Sequence, residues 1–303
     1  MGVNKMDGIL PLWKPRGWTS HDCVMKIRKI FKTKKVGHTG TLDPEVEGVL
    51  PICIGQATKI VPYLMDTKKV YIAEVQLGKT TETEDSYGEV VETAEVNSMP
   101  SLEQIDKVLQ SFLGDTIQIP PMYSAVKVNG KKLYEYARAN ESVERPKRTI
   151  HIYSIDRLLV NEEDHSIKFQ VTCSKGTYIR TLCVDIGKKL GFPAHMSFLE
   201  RIKTGSFDKD GSYTFDDIHQ AQEEDKLQKL LQPIVSGLNH LSQIEVDEYI
   251  KQKISYGQKL PMPDKIPEST PFLMMHQDEL LAIYQLHEKN EHEIKPVRIF
   301  KAL

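Results

Sequence analysis

The sequence predicts a mixed α/β (α+β) fold in which helices flank a largely antiparallel sheet, followed by a small C-terminal β barrel. Residues 70–77 and 167–173 alternate apolar and polar side chains, which is typical of half-buried strands. Residues 20–31 and 101–113 carry apolar side chains at helical spacing behind capping residues. After residue 240, short apolar segments alternate with proline-containing breaks, which indicates a separate unit built of strands.

The first elements are a strand and a basic helix. Residues 9–13 form the strand and run into a Pro/Gly turn, after which Thr19 or Ser20 can cap the helix. From residue 14 to residue 35 there are eight Lys or Arg and one acid, Asp22. This region can bind a polyanion, although an ordinary solvated face has the same composition.

A glycine-rich loop follows the helix and presents Asp43. The proline after Asp43 keeps this residue out of the helical region and removes the next amide donor, so we expect the carboxylate on an extended corner. The alternative is a plain turn or a short helix capped by Asp43. A helix beginning after Asp43 would have room for hardly one turn, because Gly48 and the strand-like run from Val49 to Ile54 follow at once.

The strand at residues 70–77 is followed by an acidic segment. Residues 82–95 hold six acids and no base, and residues 89–96 are predicted to pair antiparallel with the strand. Residues 73–80, which end in Lys79-Thr80, also fit a loosened phosphate-binding loop. The strand alternation argues against that interpretation, because one segment cannot both extend and curl around phosphates.

A capped helix and a basic, aromatic insertion come next. Ser101 and Gln104 form a capping box, and Gly114 ends the helix. Residues 120–150 then mix prolines and tyrosines with seven Lys or Arg. That mixture suits base stacking and phosphate contacts, and it also suits a surface insertion packed on its own tyrosines.

The strand at residues 167–173 turns into a helix that begins with an arginine. Arg180 lies in the first helical turn, where the positive end of the helix dipole disfavours a cation. We therefore expect an anionic partner. A forked contact to Asp43 would keep the carboxylate ionised and fix its direction, as a nucleophile or an electrostatic stabiliser requires.

Composition narrows the class of protein. The chain is 40% hydrophobic and 27% charged with a net charge of −2, which is typical of a soluble globular protein. We see no signal peptide and no apolar run of membrane-spanning length, so we expect a cytoplasmic protein. The four cysteines stand far apart without metal-ligand spacing, and we interpret them as reduced core thiols.

Five motifs, in this order and spacing, resemble the TruB family of tRNA pseudouridine synthases. They are Lys14-Pro-Arg-Gly-Trp-Thr-Ser20, Gly37-His-Thr-Gly-Thr-Leu-Asp43-Pro-Glu-Val-Glu-Gly-Val-Leu50, Lys69-Val-Tyr71, Pro120-Pro-Met-Tyr-Ser-Ala-Val-Lys127 and Gly176-Thr-Tyr-Ile-Arg180-Thr-Leu182. The resemblance covers about residues 8–205. It implies the pseudouridine synthase fold for residues 1–240, with the insertion near 120–150, and a PUA-like RNA-binding unit for residues 241–303.

The resemblance also implies an activity, the isomerisation of uridine 55 in the T loop of tRNA to pseudouridine. No cofactor and no metal are expected for it. The implied partner is the T arm of tRNA, and the chain is expected to act as a monomer without an obligate protein partner.

Carried over position by position, the resemblance assigns three catalytic roles. Asp43 is the nucleophile, Arg180 is its salt-bridge partner, and Tyr71 stacks on the target base and assists proton removal from its C5. The positions implied to bind the substrate are His38, Tyr71, Tyr178, Leu199 and Lys14. Three routes stay open for Asp43: attack on ribose C1′, addition to uracil C6, or charge stabilisation during elimination.

Two other classes of function fit parts of the sequence. An RNA-binding or tRNA-folding module, whose Asp43 loop only shapes the surface, would lose nothing when Asp43 is replaced. A nucleotide-driven enzyme would hydrolyse ATP in a manner sensitive to Lys79→Ala.

Overall fold

The computed structural model describes residues 6–263 and 270–300 and contains two main sheets with flanking helices. The strands are β1 (Gly8–Lys14), β2 (Val36–His38), β3 (Glu47–Ile54), β4 (Lys69–Leu77), β5 (Lys79–Thr81), β6 (Val90–Thr93), β7 (Gly114–Gln118), β8 (Lys127–Val128), β9 (Lys131–Lys132), β10 (Arg148–Asn161), β11 (Ser166–Cys173), β12 (Ala194–Thr204), β13 (Phe207–Asp208), β14 (Gln243–Glu245), β15 (Leu260–Pro261), β16 (Phe272–His276), β17 (Glu279–Leu286) and β18 (Glu293–Ile299). The α-helices are α1 (Ser20–Ile30), α2 (Val61–Met65), α3 (Leu102–Gln110), α4 (Leu133–Arg138), α5 (Ile179–Leu190), α6 (Phe215–Glu223) and α7 (Glu248–Ser255). Short 3-10 helices lie at Gly55–Ile60, Leu227–Leu230 and Ile234–Gly237.

The larger sheet has nine strands and confirms the predicted mixed α/β class. Its order is β1-β3-β12-β4-β11-β10-β7, with β2 added to β3 and β13 added to β12. All of these strand pairs are antiparallel except β3 with β12. β4 therefore lies in the middle of the sheet, between β11 and β12.

Local signals predict where α1 and α3 begin and where α5 ends, but the predicted end of α3 at Gly114 is wrong, because α3 ends at Gln110 and Gly114 begins β7. Thr19 caps α1 in a capping box with Asp22, and Ser101 caps α3 in the same way with Gln104. α5 ends at Gly191, which has the left-handed φ of +89° that glycine adopts without strain. Each of these caps, and Gly191, lies within a few residues of the helix end that it forms, which is why those ends could be predicted from the sequence.

The acidic segment after β4 is not the neighbour of that strand, so the predicted pairing of residues 89–96 with residues 70–77 is wrong. Gly78, at a φ of +101°, turns the chain out of the sheet, and β6 pairs with β5 in a separate two-stranded sheet. Both edges of β4 are occupied by β11 and β12. Since residues 73–77 form this central strand, they are not free to wrap around phosphates.

One transverse row of the larger sheet organises the site described below. The register pairs Lys14 of β1 with Gly48 of β3, Gly48 with Arg201 of β12, and Arg201 with Tyr71 of β4. Gly48 has a φ of +133°, and a Cβ at this position would overlap the backbone of Arg201. Glycine therefore allows β3 and β12 to approach closely at this row.

The second sheet has five strands in the order β14-β16-β17-β18-β15, consistent with the predicted PUA-like unit. One of its faces shares a hydrophobic cluster with the larger sheet. Ile9, Val49 and Cys53 from the larger sheet belong to the same buried cluster as Leu273 and Ile283 from the second. Within the described residues, no helix combines the length and apolar character needed to span a membrane.

Candidate active site

Asp43 lies outside any helix, at the start of a tight turn. The N–H of Val46 donates to the Asp43 carbonyl at 3.1 Å, and Pro44 and Glu45 form the turn between them. The Asp43 side chain remains 43% exposed. The competing interpretation of a turn is therefore correct for the backbone, and the turn displays the Asp43 carboxylate.

Two buried basic side chains, Lys14 and Arg201, hydrogen-bond to backbone carbonyls of the Asp43 loop and of the strand that follows it. Lys14 is fully buried, and its Nζ donates to the carbonyls of Pro44 at 3.0 Å and Val46 at 2.6 Å. Arg201, 1% exposed, donates to the carbonyls of Val49 at 2.9 Å and Gly40 at 3.2 Å. Burial lowers the pKa of Lys14. Lys14 thus supports the loop, and it lies outside the walls of the two cavities described below.

Arg180 reaches Asp43 from the first turn of α5. Its Nε lies 3.0 Å from Asp43 Oδ2, while Nη1 donates to the Thr83 carbonyl at 2.9 Å and Nη2 to the Tyr123 carbonyl at 3.0 Å. Asp85 Oδ2 lies 4.0 Å from Nη1. The predicted anionic partner is present, but the forked contact is not, because the terminal nitrogens bind two loop carbonyls instead.

Asp43 and Arg180 line two neighbouring cavities. Their volumes are about 520 Å³ and about 850 Å³. The residues that line both are Asp43, Tyr123, Arg180 and Leu199. Tyr71 and Tyr178 line the larger cavity, which has the size of a typical small-ligand site. The structure therefore brings five of the predicted site residues together: Asp43, Tyr71, Tyr178, Arg180 and Leu199.

Tyr71 is a buried phenol at the centre of the sheet. Burial raises its pKa, and the neighbouring Arg201 guanidinium partly offsets this effect. The phenol therefore stays protonated and neutral over the physiological pH range. A neutral ring on the wall of the larger cavity is suited to stacking on a flat base.

His38 lies apart from these residues, on β2, outside the walls of both cavities. Its Nδ1 is buried and has no hydrogen-bond partner among the described residues. Burial, Arg201 and His21 together lower the pKa of His38, so its ring is neutral at pH 7.

Sequence reasoning assigned no individual role to three residues that shape the site, although Tyr123 belongs to the insertion predicted to offer stacking surfaces. Arg201 and Lys69 line the larger cavity, and Tyr123 lines both cavities. Lys69 is 6% exposed and donates to the carbonyls of Met65 and Thr67, and burial lowers its pKa to about 8. Arg201 could have been found from its spacing, because residues two apart on a strand lie on the same face and Arg201 follows Leu199 by two positions.

The cysteines and the acidic side chains do not form a metal centre in the part of the chain that the structure describes. All four cysteines are free and buried, as predicted for core thiols. Burial raises the pKa of Cys23 and of Cys173 to about 11, which keeps both as unreactive thiols at neutral pH.

Comparison with known sequences gives two family matches and close relatives. Residues 28–179 match the model of the TruB family pseudouridylate synthase N-terminal domain, and residues 180–239 match the tRNA pseudouridylate synthase B C-terminal domain. The chain is 63% identical over 296 residues to tRNA pseudouridine synthase B of Oceanobacillus iheyensis, covering 97% of this chain and 98% of that protein. It is 52% identical over 302 residues to tRNA pseudouridine synthase B of Staphylococcus aureus strain Newman, covering 97% and 99%.

Solved structures resemble the chain over both sheets. A Cbf5-Nop10-Gar1 complex contains a chain that matches with a TM-score of 0.76 and 29% identity, covering 99% of this chain and 87% of the other. An H/ACA RNP bound to a substrate RNA containing 2′-deoxyuridine matches with a TM-score of 0.75 and 27% identity, covering 97% and 85%.

Proposed function

Since this chain belongs to the TruB family of pseudouridylate synthases, we propose that it isomerises uridine 55 in the T loop of tRNA to pseudouridine. The fold is the mixed α/β pseudouridine synthase fold. The tRNA substrate is the one named for its close relatives. A tRNA substrate would place the activity in the cytoplasm.

The observation that carries this proposal is the ion pair between Asp43 and Arg180 at the boundary of two cavities. A carboxylate held by a guanidinium is ready to act as a nucleophile or as a stabiliser of positive charge. Tyr71 on the cavity wall offers a stacking surface for the uracil ring. The target lies inside a folded loop of RNA, so the enzyme must extrude the nucleotide to bring it to this carboxylate, at an expense of a few kcal/mol.

The residues present suit the chemistry of this isomerisation. The bond between uracil N1 and ribose C1′ breaks, the base turns, and a bond between C5 and C1′ forms. The hydrogen on C5 leaves as a proton, and N1 takes up a proton. Nothing is oxidised or reduced in the net reaction, so no redox cofactor is required. Asp43 can attack ribose C1′, add to uracil C6, or stabilise charge while elimination proceeds.

We infer that the rest of the chain holds the RNA. Lysines and arginines on the solvent side of α1 and in the insertion at residues 120–150 supply phosphate contacts. Residues 241–303 supply a PUA-like RNA-binding unit that follows a catalytic unit at residues 1–240. The chain carries out this work as a monomer, without a metal or a protein partner.

The test compares Asp43→Asn with a matched variant, Asp106→Asn. Asp106 is another aspartate held by an arginine, Arg157, at 2.6 Å, and it lies on α3 outside the walls of both cavities. Pseudouridine in tRNA is measured by nucleoside analysis and by tritium release from tRNA with 5-tritiated uridine. We expect Asp43→Asn to lower turnover by about 10⁴ or more while tRNA still binds, since the basic surface is intact.

Asp106→Asn should keep the wild-type rate of turnover. Near-normal tritium release by Asp43→Asn would contradict the catalytic role of Asp43 and favour an RNA-binding or tRNA-folding module. Failure of the wild-type chain to form pseudouridine in tRNA would overturn the proposed function itself.

A further inference from the structure

A buried glutamine, Gln118, clamps the backbone at the start of α5. Gln118 ends β7 and is 3% exposed. Its side-chain Oε1 accepts from the N–H of Tyr178 at 2.8 Å, and its Nε2 donates to the Tyr178 carbonyl at 3.0 Å. A single side chain therefore satisfies both backbone polar groups of the residue that begins the helix.

The clamped residue is two positions from Arg180. Tyr178 is the N-cap of α5, and its carbonyl also accepts from the Leu182 N–H at 3.1 Å, which closes the first helical turn. The Tyr178 ring lines the larger cavity. The position of Tyr178 thus sets both a cavity wall and the direction in which Arg180 leaves the helix.

The segment that begins with Gln118 also reaches Arg180 directly. Five residues further along the chain, the Tyr123 carbonyl accepts from Arg180 Nη2 at 3.0 Å. Gln118 holds the helix backbone while Tyr123 holds the tip of the guanidinium. These two contacts fix Arg180 at both ends, so its Nε is left pointing at Asp43 Oδ2, 3.0 Å away.

We propose that Gln118 is a positioning residue for the isomerisation: through Tyr178 it holds Arg180, and through Arg180 it holds the Asp43 carboxylate. The inference rests on the proposed function, because it requires that the Asp43–Arg180 pair act in turnover. Gln118 makes no contact with the substrate in this role. Displacing a reacting group by about 1 Å lowers a rate by about 100-fold, so losing this clamp affects the chemical step.

The experiment compares Gln118→Met with Gln110→Met in the full-length chain. Methionine keeps the length of the side chain and removes both hydrogen bonds. Gln110 is the matched control because it lies on α3 of the same unit and donates Nε2 to the Ile155 carbonyl at 2.9 Å, away from both cavities. Single-turnover formation of pseudouridine at saturating enzyme, tRNA affinity and thermal unfolding are measured for each.

For Gln118→Met we expect a single-turnover rate about 10 to 100 times lower than wild type, with tRNA affinity within about twofold. Gln110→Met should keep the wild-type rate even where its unfolding temperature falls. Gln118→Asn, whose shorter amide cannot reach Tyr178, should lose rate in the same way, and it serves where the methionine variant does not fold.

A wild-type single-turnover rate in a folded Gln118 variant, beside an active wild-type chain, would overturn the positioning role and leave the proposed function standing. Equal losses of rate in the Gln118 and Gln110 variants would also overturn it, because the effect would then reflect stability alone. A wild-type chain that forms no pseudouridine would overturn both proposals.

Discussion

At the scale of single residues, the partner of Arg180 could be predicted from the sequence, but the geometry of their contact could not. The position of Arg180 in a first helical turn predicted an anionic partner, and Asp43 on a displayed loop was the available carboxylate. The geometry of the contact depends on Thr83 and Tyr123, whose carbonyls occupy the terminal nitrogens. Those residues lie far from Arg180 in the chain, so sequence reasoning predicted the partner and missed the form of the contact.

Replacing Arg180 by lysine tests how much that geometry matters. A lysine ammonium is a point charge and cannot contact Asp43 together with both loop carbonyls, so we expect turnover about 10² to 10³ times below wild type. Arg157→Lys is the control, because Arg157 holds Asp106 through Nε at 2.6 Å and Nη2 at 2.8 Å at a distance from the cavities. Tritium release measured on both variants checks this. Wild-type turnover in Arg180→Lys would contradict the importance of the guanidinium.

At the scale of secondary-structure elements, local signals predicted three of the longer helices, whereas α2, α4 and α7 and the partners of β4 were not predicted. A cap at Thr19 or Ser20, the capping box of Ser101 and Gln104, and the terminal Gly191 predicted the helices near residues 20–30, 102–110 and 179–190. β12 was missed, although it lies beside the central strand. Its register shifts near Phe198 and Lys203 break the alternation that identifies a strand.

The close approach of β3 and β12 gives a prediction at this scale. Gly48→Ala places a Cβ against the Arg201 backbone and forces an L residue to a φ of +133°, so we expect a loss of at least about 3 kcal/mol in the free energy of unfolding. Gly130→Ala is the control: Gly130 has a φ of +81°, and no heavy atom of the described residues lies within 4 Å of the added Cβ. That variant should lose only about 1 to 2 kcal/mol. Urea unfolding measures the free energy of unfolding of both variants. Equal losses would show that the close approach of β3 and β12 contributes little to the effect of Gly48→Ala.

At the scale of the whole molecule, the two sheets share buried surface. Ile283 and Leu273 of the second sheet lie in one cluster with Ile9 and Val49 of the larger sheet. Lys59 adds a polar contact, because its Nζ donates to the Ile299 carbonyl at 2.5 Å. The sequence predicted a separate unit of strands after residue 240, but a shared core depends on which faces meet, and the alternation along one strand does not contain that information.

The shared core predicts that both sheets unfold together. Ile283 is fully buried, and Ile283→Ala should lower the free energy of unfolding by about 2 to 4 kcal/mol. Trp13 packs against the shared cluster and Trp18 against a cluster that contains no residue of the second sheet, so the measurement is made in a Trp13→Phe background. Fluorescence of Trp18 then reports on the larger sheet, while far-UV circular dichroism reports on both. If the sheets form one cooperative unit, Ile283→Ala shifts the urea midpoints of both signals equally. Ile117→Ala, the same change at a site that is 67% exposed, should shift neither signal appreciably. A circular dichroism transition that moves while the fluorescence midpoint stays in place would instead mean that the second sheet unfolds as an independent unit.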